Sequence, residues 1–196
     1  MPLPRPVPRR LVHTRKIKCN GFLRTDGLWD IEGSFIDVKA DNYFEGDSTL
    51  PAGIPLHGMS LRLTCDRNAT IVAAISSMDH TPYPECRDVN HLTEKLAGLT
   101  IEKGFMTEAR RRIGGCIGCT HIMELLLEVG STAFQTMYEV RKAEREEQEK
   151  IDGRKQRPPL LDSCYAFRSE SPVVRRKWPD FATSTNPVGP AEPKET

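Results

Sequence analysis

Apolar positions follow two rhythms along the chain. As far as residue 75 they alternate with polar ones, and beyond residue 87 they recur every three or four positions. The alternating part predicts two hairpins. Residues 16–24 and 28–39 read as strands around the tight turn Asp26-Gly27, with Ile17, Cys19 and Phe22 inward on the first. On the second, Trp29, Ile31, Gly33 and Phe35 share one face while Asp30, Glu32 and Ser34 share the other. Past Phe35 the apolar phase moves to Ile36 and Val38, which predicts a bulge near that point. Residues 40–55 are rich in Asp, Asn, Gly and Pro and read as a loop. His57-Gly58-Met59 then opens a second hairpin: Leu61, Leu63 and Cys65 on one strand, a turn at Asp66-Arg67-Asn68, and Ile71, Ala73 and Ile75 on the return.

The helical rhythm predicts three pieces. A short helix follows Cys86, with Val89, Leu92 and Leu96 on one side and Gly98 as terminator. A second covers 103–113, with Phe105, Met106, Ala109 and Ile113 inward. The third begins near Thr120 and carries the stripe Ile122, Leu125, Leu126, Val129, Ala133, Phe134, Met137 and Val140. A sheet with one apolar face needs covering, and these helices supply the cover. The fold class is therefore α+β, an antiparallel sheet of hairpins packed against helices.

The ends break the pattern. Residues 1–14 alternate prolines with arginines and read as a flexible basic arm. Residues 15–150 make a single α+β domain whose last helix extends as a nearly all-charged segment from Arg141. Residues 151–196 read as a linker and mostly disordered tail, with Val173, Val174 and Trp178 as anchors. The formal charge of +1 gives no global electrostatic case for nucleic acid, so none is expected as partner. No apolar run is long enough to span a membrane, and the N-terminus lacks a signal-peptide core, so a cytoplasmic protein is expected. The expected partner is a small-molecule substrate or another protein, and the oligomeric state stays open.

The six cysteines lie at 19, 65, 86, 116, 119 and 164, a spacing too irregular for a disulfide framework. The chemistry concentrates in Gly114-Gly115-Cys116-Ile117-Gly118-Cys119-Thr120-His121, at the mouth of the long helix. A helix N-terminus favours a thiolate. Cys119 and His121 there, His57 at the entrance of the second hairpin, and Cys86 between sheet and helix form the candidate metal ligands. Thiolate and imidazole in tetrahedral number suit zinc, with iron or an iron–sulfur cluster as the alternative. Glu124, Glu85 and His80 are the candidates for acid–base work by proximity in sequence. Cys116 is open to three roles: ligand, resolving thiol or packing. Of the acids Asp26, Asp30, Glu32 and Asp37, Asp30 and Glu32 project from one strand face, which reads either as a cation-holding or general acid–base pair or as the solvated side of a hairpin paired with Arg24 and Lys39.

Two resemblances arise at these residues. Phe22-Leu-Arg24-Thr-Asp26-Gly27-Leu-Trp29-Asp30-Ile-Glu32, Pro55-Leu-His57-Gly58-Met59, Tyr83-Pro-Glu-Cys86 and Gly118-Cys119-Thr120-His121 resemble a bacterial domain family of unknown function that carries a Gly-Cys-Thr-His segment, over residues 13–167. From 57 to 135 the order also resembles, remotely, the NifU/IscU-type iron–sulfur scaffold, with His57, Cys86 and Cys119 at the family's three cysteine positions. That resemblance implies a NifU/IscU-like core of three antiparallel strands on helices, here with an added N-terminal hairpin. Histidine at the first ligand position and Met59 in place of an acid depart from it and suit a fixed mononuclear metal better than a labile cluster. The resulting expectation is a metal-dependent cytoplasmic enzyme or accessory protein acting on a small organic substrate through a His/Cys site. The alternatives are an iron–sulfur cluster or sulfur-transfer scaffold, and a non-enzymatic adaptor with a structural metal.

Overall fold

Alternation of apolar and polar residues over eleven positions is what builds the central strands. The computed structural model describes residues 3–45 and 48–183. Strands β1 (His13–Leu23), β2 (Trp29–Lys39), β5 (Pro55–Cys65) and β6 (Ile71–His80) form one antiparallel sheet in the order β1-β2-β5-β6. A separate two-stranded ribbon pairs β3 (Tyr43–Glu45) with β4 (Ser48–Leu50) inside the stretch expected to be loop. Strands of three residues are too short for alternation to register.

The first turn forms as the sequence predicts. Gly27 takes φ 84°, and the Arg24 amide bonds back to the Leu28 carbonyl at 2.8 Å. The phase along β2 does not shift where expected. Trp29, Ile31, Gly33, Phe35 and Asp37 are all buried, Ile36 is exposed, and the irregularity in the β2–β5 pairing falls between Asp37 and Val38. The inward phase therefore runs through to a carboxylate. Cross-strand register puts Ile17 and Cys19 on the inner face opposite Phe35 and Gly33, whereas Phe22 pairs with Asp30 on the outer face. On β6 a register shift beside Cys65 leaves Ile71, Ala74 and Met78 buried, while Ala73 and Ile75 are exposed. One extra residue in a strand turns every following side chain over.

A long 3-10 segment (Pro84–Leu96), α1 (Phe105–Ile113) and α2 (Thr120–Asp152) follow. Leu96, Phe105, Ala109 and Ile113 join the core, as do Leu125, Leu126 and Val129 of α2. Arg112 reaches back to the Lys95 and Ala97 carbonyls at the end of the 3-10 segment, and Arg111 and Arg112 both bond Glu108. Thus two members of the arginine run have structural partners. Helix α2 approaches the sheet closely at two glycines. A Cβ on Gly33 would stand 2.4 Å from Val129 Cγ2, and one on Gly21 would overlap the Thr136 side chain.

The chain divides into two compact units between Lys142 and Ala143. In the second, α3 (Pro172–Lys177) is capped by Ser171, whose hydroxyl accepts from the Val174 amide at 3.1 Å. Val174 and Leu161 are buried, the Phe167 and Trp178 rings lie 5.3 Å apart, and Asp162 accepts from the Ser169 amide and hydroxyl. The segment expected to be mostly disordered thus has local structure as far as residue 183, while the part of that expectation covering 184–196 lies outside the described residues. At the other end, the arm expected over 1–14 gives up two residues to β1, which starts at His13.

Packing at Gly33 yields a test. Gly33→Val should cost about 1–3 kcal/mol through overpacking against Val129 and Leu125. Urea unfolding of the variant measures this, and a midpoint equal to the parent's would contradict the close approach.

Candidate functional site

At one end of the sheet the inner face changes from apolar to charged. Its last apolar residues are Phe35 and Met59, both buried. The next inward positions are Arg15 on β1, Asp37 on β2 and His57 on β5, and they are direct cross-strand neighbours. His121 comes from the first turn of α2 and sits over this row, its ring 4.0 Å from that of His57 and 5.7 Å from that of Phe35.

Asp37 is the hub. Its residue is only 2% exposed, so an ionised carboxylate there needs compensation. Arg15 supplies it through two parallel bonds: Nε donates to Oδ1 and Nη2 to Oδ2, each at 2.7 Å. His57 Nδ1 lies 3.2 Å from Oδ2, and His13 Nε2 lies 3.4 Å from Oδ1. Burial alone pushes the Asp37 carboxyl up, but the Arg15 bonds and charge, helped by His13 and His57, outweigh it and hold the group below the usual carboxylate range. Arg15 is driven up, chiefly by its bond to Asp37. His57 is pushed down by burial and by His121 beside it, and Asp37 recovers only part of that loss.

Asp37, His57 and His121 each offer a ligand atom, and these atoms lie within 4.8 Å of one another. Two of the four residues expected as metal ligands, His57 and His121, are thus brought together. The thiols are placed differently. Cys86, in the 3-10 segment, and Cys119, just before α2, are half-buried and pack against the apolar core. Cys116 is exposed in a 3-10 turn at Gly115–Ile117. Of the expected acid–base residues, Glu124 lies one turn along from His121 and accepts from Arg15 Nη1 at 2.6 Å. Glu85 is exposed at the start of the 3-10 segment. His80 pairs in register with Gly58, on the outer face of the sheet, and a Cβ on Gly58 would meet its ring at 2.7 Å. That puts His80 on the opposite face from His57.

The acidic set separates in the same way. Asp26 and Asp30 pair with Arg24, and Glu32 pairs with Arg62, all near or on the outer face. Asp37 alone of these four faces inward. Its signal in the sequence was an acid standing on the apolar phase of β2, and Arg15 stands on the same phase of β1.

A family profile described as "Protein of unknown function (DUF2889)" matches residues 13–135, more than half of the chain. The chain belongs to the DUF2889 family. No curated protein and no solved structure matches it. The DUF2889 match begins at His13 and runs past His121, so every residue around Asp37 falls inside the domain. No helix among the described residues is long and apolar enough to cross a membrane.

Two measurements follow from the charge arrangement. Arg15→Met leaves the buried Asp37 carboxylate without its fixed cation, which costs about 3–5 kcal/mol in a fully buried setting and about 3 kcal/mol here, because Arg15 keeps partial access to water and the imidazoles of His13 and His57 remain. Urea unfolding reads this, and a loss under 1 kcal/mol, roughly the range of an exposed pair, would contradict it. The second measurement concerns pH. The folded pKa of His57 is lowered from 6.5, so the unfolded chain takes up that proton first. Stability of the metal-free protein is then complete above about pH 6.5 and falls as the pH drops from there toward the folded value. Asp37 adds a separate loss only below about pH 3.9, because its folded pKa is lowered as well. His57→Gln should flatten the first slope and leave the second; an unchanged slope between about pH 5 and 7 would contradict the assignment.

Proposed function

We propose that this DUF2889 protein is a metal-dependent enzyme or accessory protein acting on a small organic substrate, with a divalent ion held by His57, His121 and Asp37. The observation that carries the reading is the convergence of three ligand atoms within 4.8 Å from β2, β5 and α2. Two imidazoles and a carboxylate make an open donor set, leaving a coordination position for water or substrate. When bound there, the ion would supply Lewis acidity or an activated water. Zinc is favoured, and the same donors suit iron(II). The segment Gly118-Cys119-Thr120-His121 matters in this reading because it delivers His121 at the start of α2, and we take it as the family's motif. The free thiols support a reducing, cytoplasmic setting.

Arg15 limits how Asp37 can contribute. Its two bonds occupy one lone pair on each carboxylate oxygen and neutralise the charge. Asp37 then either ligates through a remaining lone pair or holds His57 by Nδ1 so that Nε2 faces the ion. Both arrangements keep His57 and His121 as ligands. An iron–sulfur or sulfur-transfer scaffold on a NifU/IscU-like core would instead need Cys86 and Cys119 beside His57. The grouping of Asp37, His57 and His121 favours a mononuclear centre over that alternative.

Equilibrium dialysis against zinc, followed by elemental analysis, tests the reading. It should give about one ion per chain, with His57→Ala and His121→Ala each lowering affinity at least about tenfold. Cys86→Ser and Cys119→Ser should leave affinity unchanged. No stoichiometric ion in the parent protein, or histidine variants that bind like the parent, would overturn it.

A further inference from the structure

A guanidinium presents two edges that can each hold a carboxylate through two parallel bonds. On Arg15 the Nε/Nη2 edge faces into the fold and is filled by Asp37 at 2.7 Å for each bond. The Nη1/Nη2 edge faces outward. Glu124 meets it through a single oxygen, Oε2 on Nη1, at 2.6 Å. The two carboxylates differ sharply in setting: the side chain of Asp37 is 3% exposed and that of Glu124 is 56% exposed. The inner pair is locked by burial. The outer pair is of the exposed kind that contributes little, so a better-placed anion can displace it.

The position of that outer edge is informative. The Arg15 guanidinium lies over the Phe35 ring at 5.1 Å, and the same ring lies 5.7 Å from the imidazole of His121. Arg15 and His121 thus share Phe35 as a neighbour, and Glu124 stands one turn along α2 from His121, so an anion replacing Glu124 would lie on the same side of the sheet as that imidazole. The exchange conserves charge, because one carboxylate replaces another against Arg15. A planar carboxylate could also use both Nη1 and Nη2, where Glu124 uses one.

We propose that the outward edge of Arg15 is the receptor for a carboxylate of the substrate, and that Glu124 is its placeholder when the site is empty. The inference rests on the metal-site reading for the place of the reacting group. The substrate class is then a small carboxylic acid, docked by its carboxylate on Arg15 with an adjoining group reaching the ion. Glu124 leaves the list of catalytic bases and becomes a specificity-determining residue.

Acetate serves as the probe, titrated into the metal-free full chain and followed by NMR on the Arg15 side-chain NH signals. Glu124→Gln should bind acetate about five times more tightly than the parent, the change expected from removing one exposed competing pair. Its Arg15 Nη signals should move with acetate. Combining Glu124→Gln with Arg15→Lys should abolish the gain. Should that double variant fail to fold, the location of the acetate-induced shifts in Glu124→Gln decides alone. Equal acetate affinity in parent and Glu124→Gln, or shifts that bypass Arg15, would overturn the inference. Zinc binding is measured separately on the same proteins. An acetate gain without zinc binding removes only the metal reading, and zinc binding without an acetate gain removes only the carboxylate receptor.

Discussion

The pairing of the buried Asp37 with Arg15 is the constraint on which the site depends. A carboxylate at an inward position of a sheet stays ionised only if a fixed cation meets it. Arg15 does so from the neighbouring strand, in direct register, using the fork geometry that a lysine lacks. Once Asp37 is held in this way, His57 on the other neighbouring strand has an acceptor for Nδ1, and its ring orientation follows. The sheet therefore organises its charged row sideways, across three strands, rather than along any one of them.

Helix α2 completes the arrangement from above. Its apolar stripe needs a close seat on the sheet, and Gly33 gives that seat by leaving room for Val129 and Leu125. The seating fixes the first turn of the helix, and with it His121 over His57. Arg15 adds a second tie between sheet and helix through Glu124. Core packing and site geometry are thus coupled, because the same helix carries the apolar stripe and His121.

Much of the fold was legible because alternation and helical period are strong signals over ten or more residues. Both hairpins, α1 and the start of α2 follow from them. The misread positions have local causes. Ala73 and Ile75 face out because one extra residue beside Cys65 inverts the phase, and no side chain announces it. Ile36 and Val38 were apolar enough to suggest a new inward phase, yet the pairing with Arg15 keeps Asp37 inside. The site was half legible for the same reason. His57 and His121 stand out at element ends. Asp37 looks like one more hairpin acid until its partner across the sheet is known, and the cysteines near the helix start suggest thiolate ligands although Cys86 and Cys119 pack against the core.

The central claim is that the centre is built from imidazole and carboxylate rather than thiolate. X-ray absorption fine structure of the zinc-loaded protein tests it most directly, because sulfur and nitrogen neighbours differ in distance and in scattering. The account predicts a first shell of nitrogen and oxygen at about 2.0–2.1 Å, with the outer-shell scattering of two imidazoles. A sulfur shell at about 2.3 Å would contradict it and return Cys86 and Cys119 to the ion.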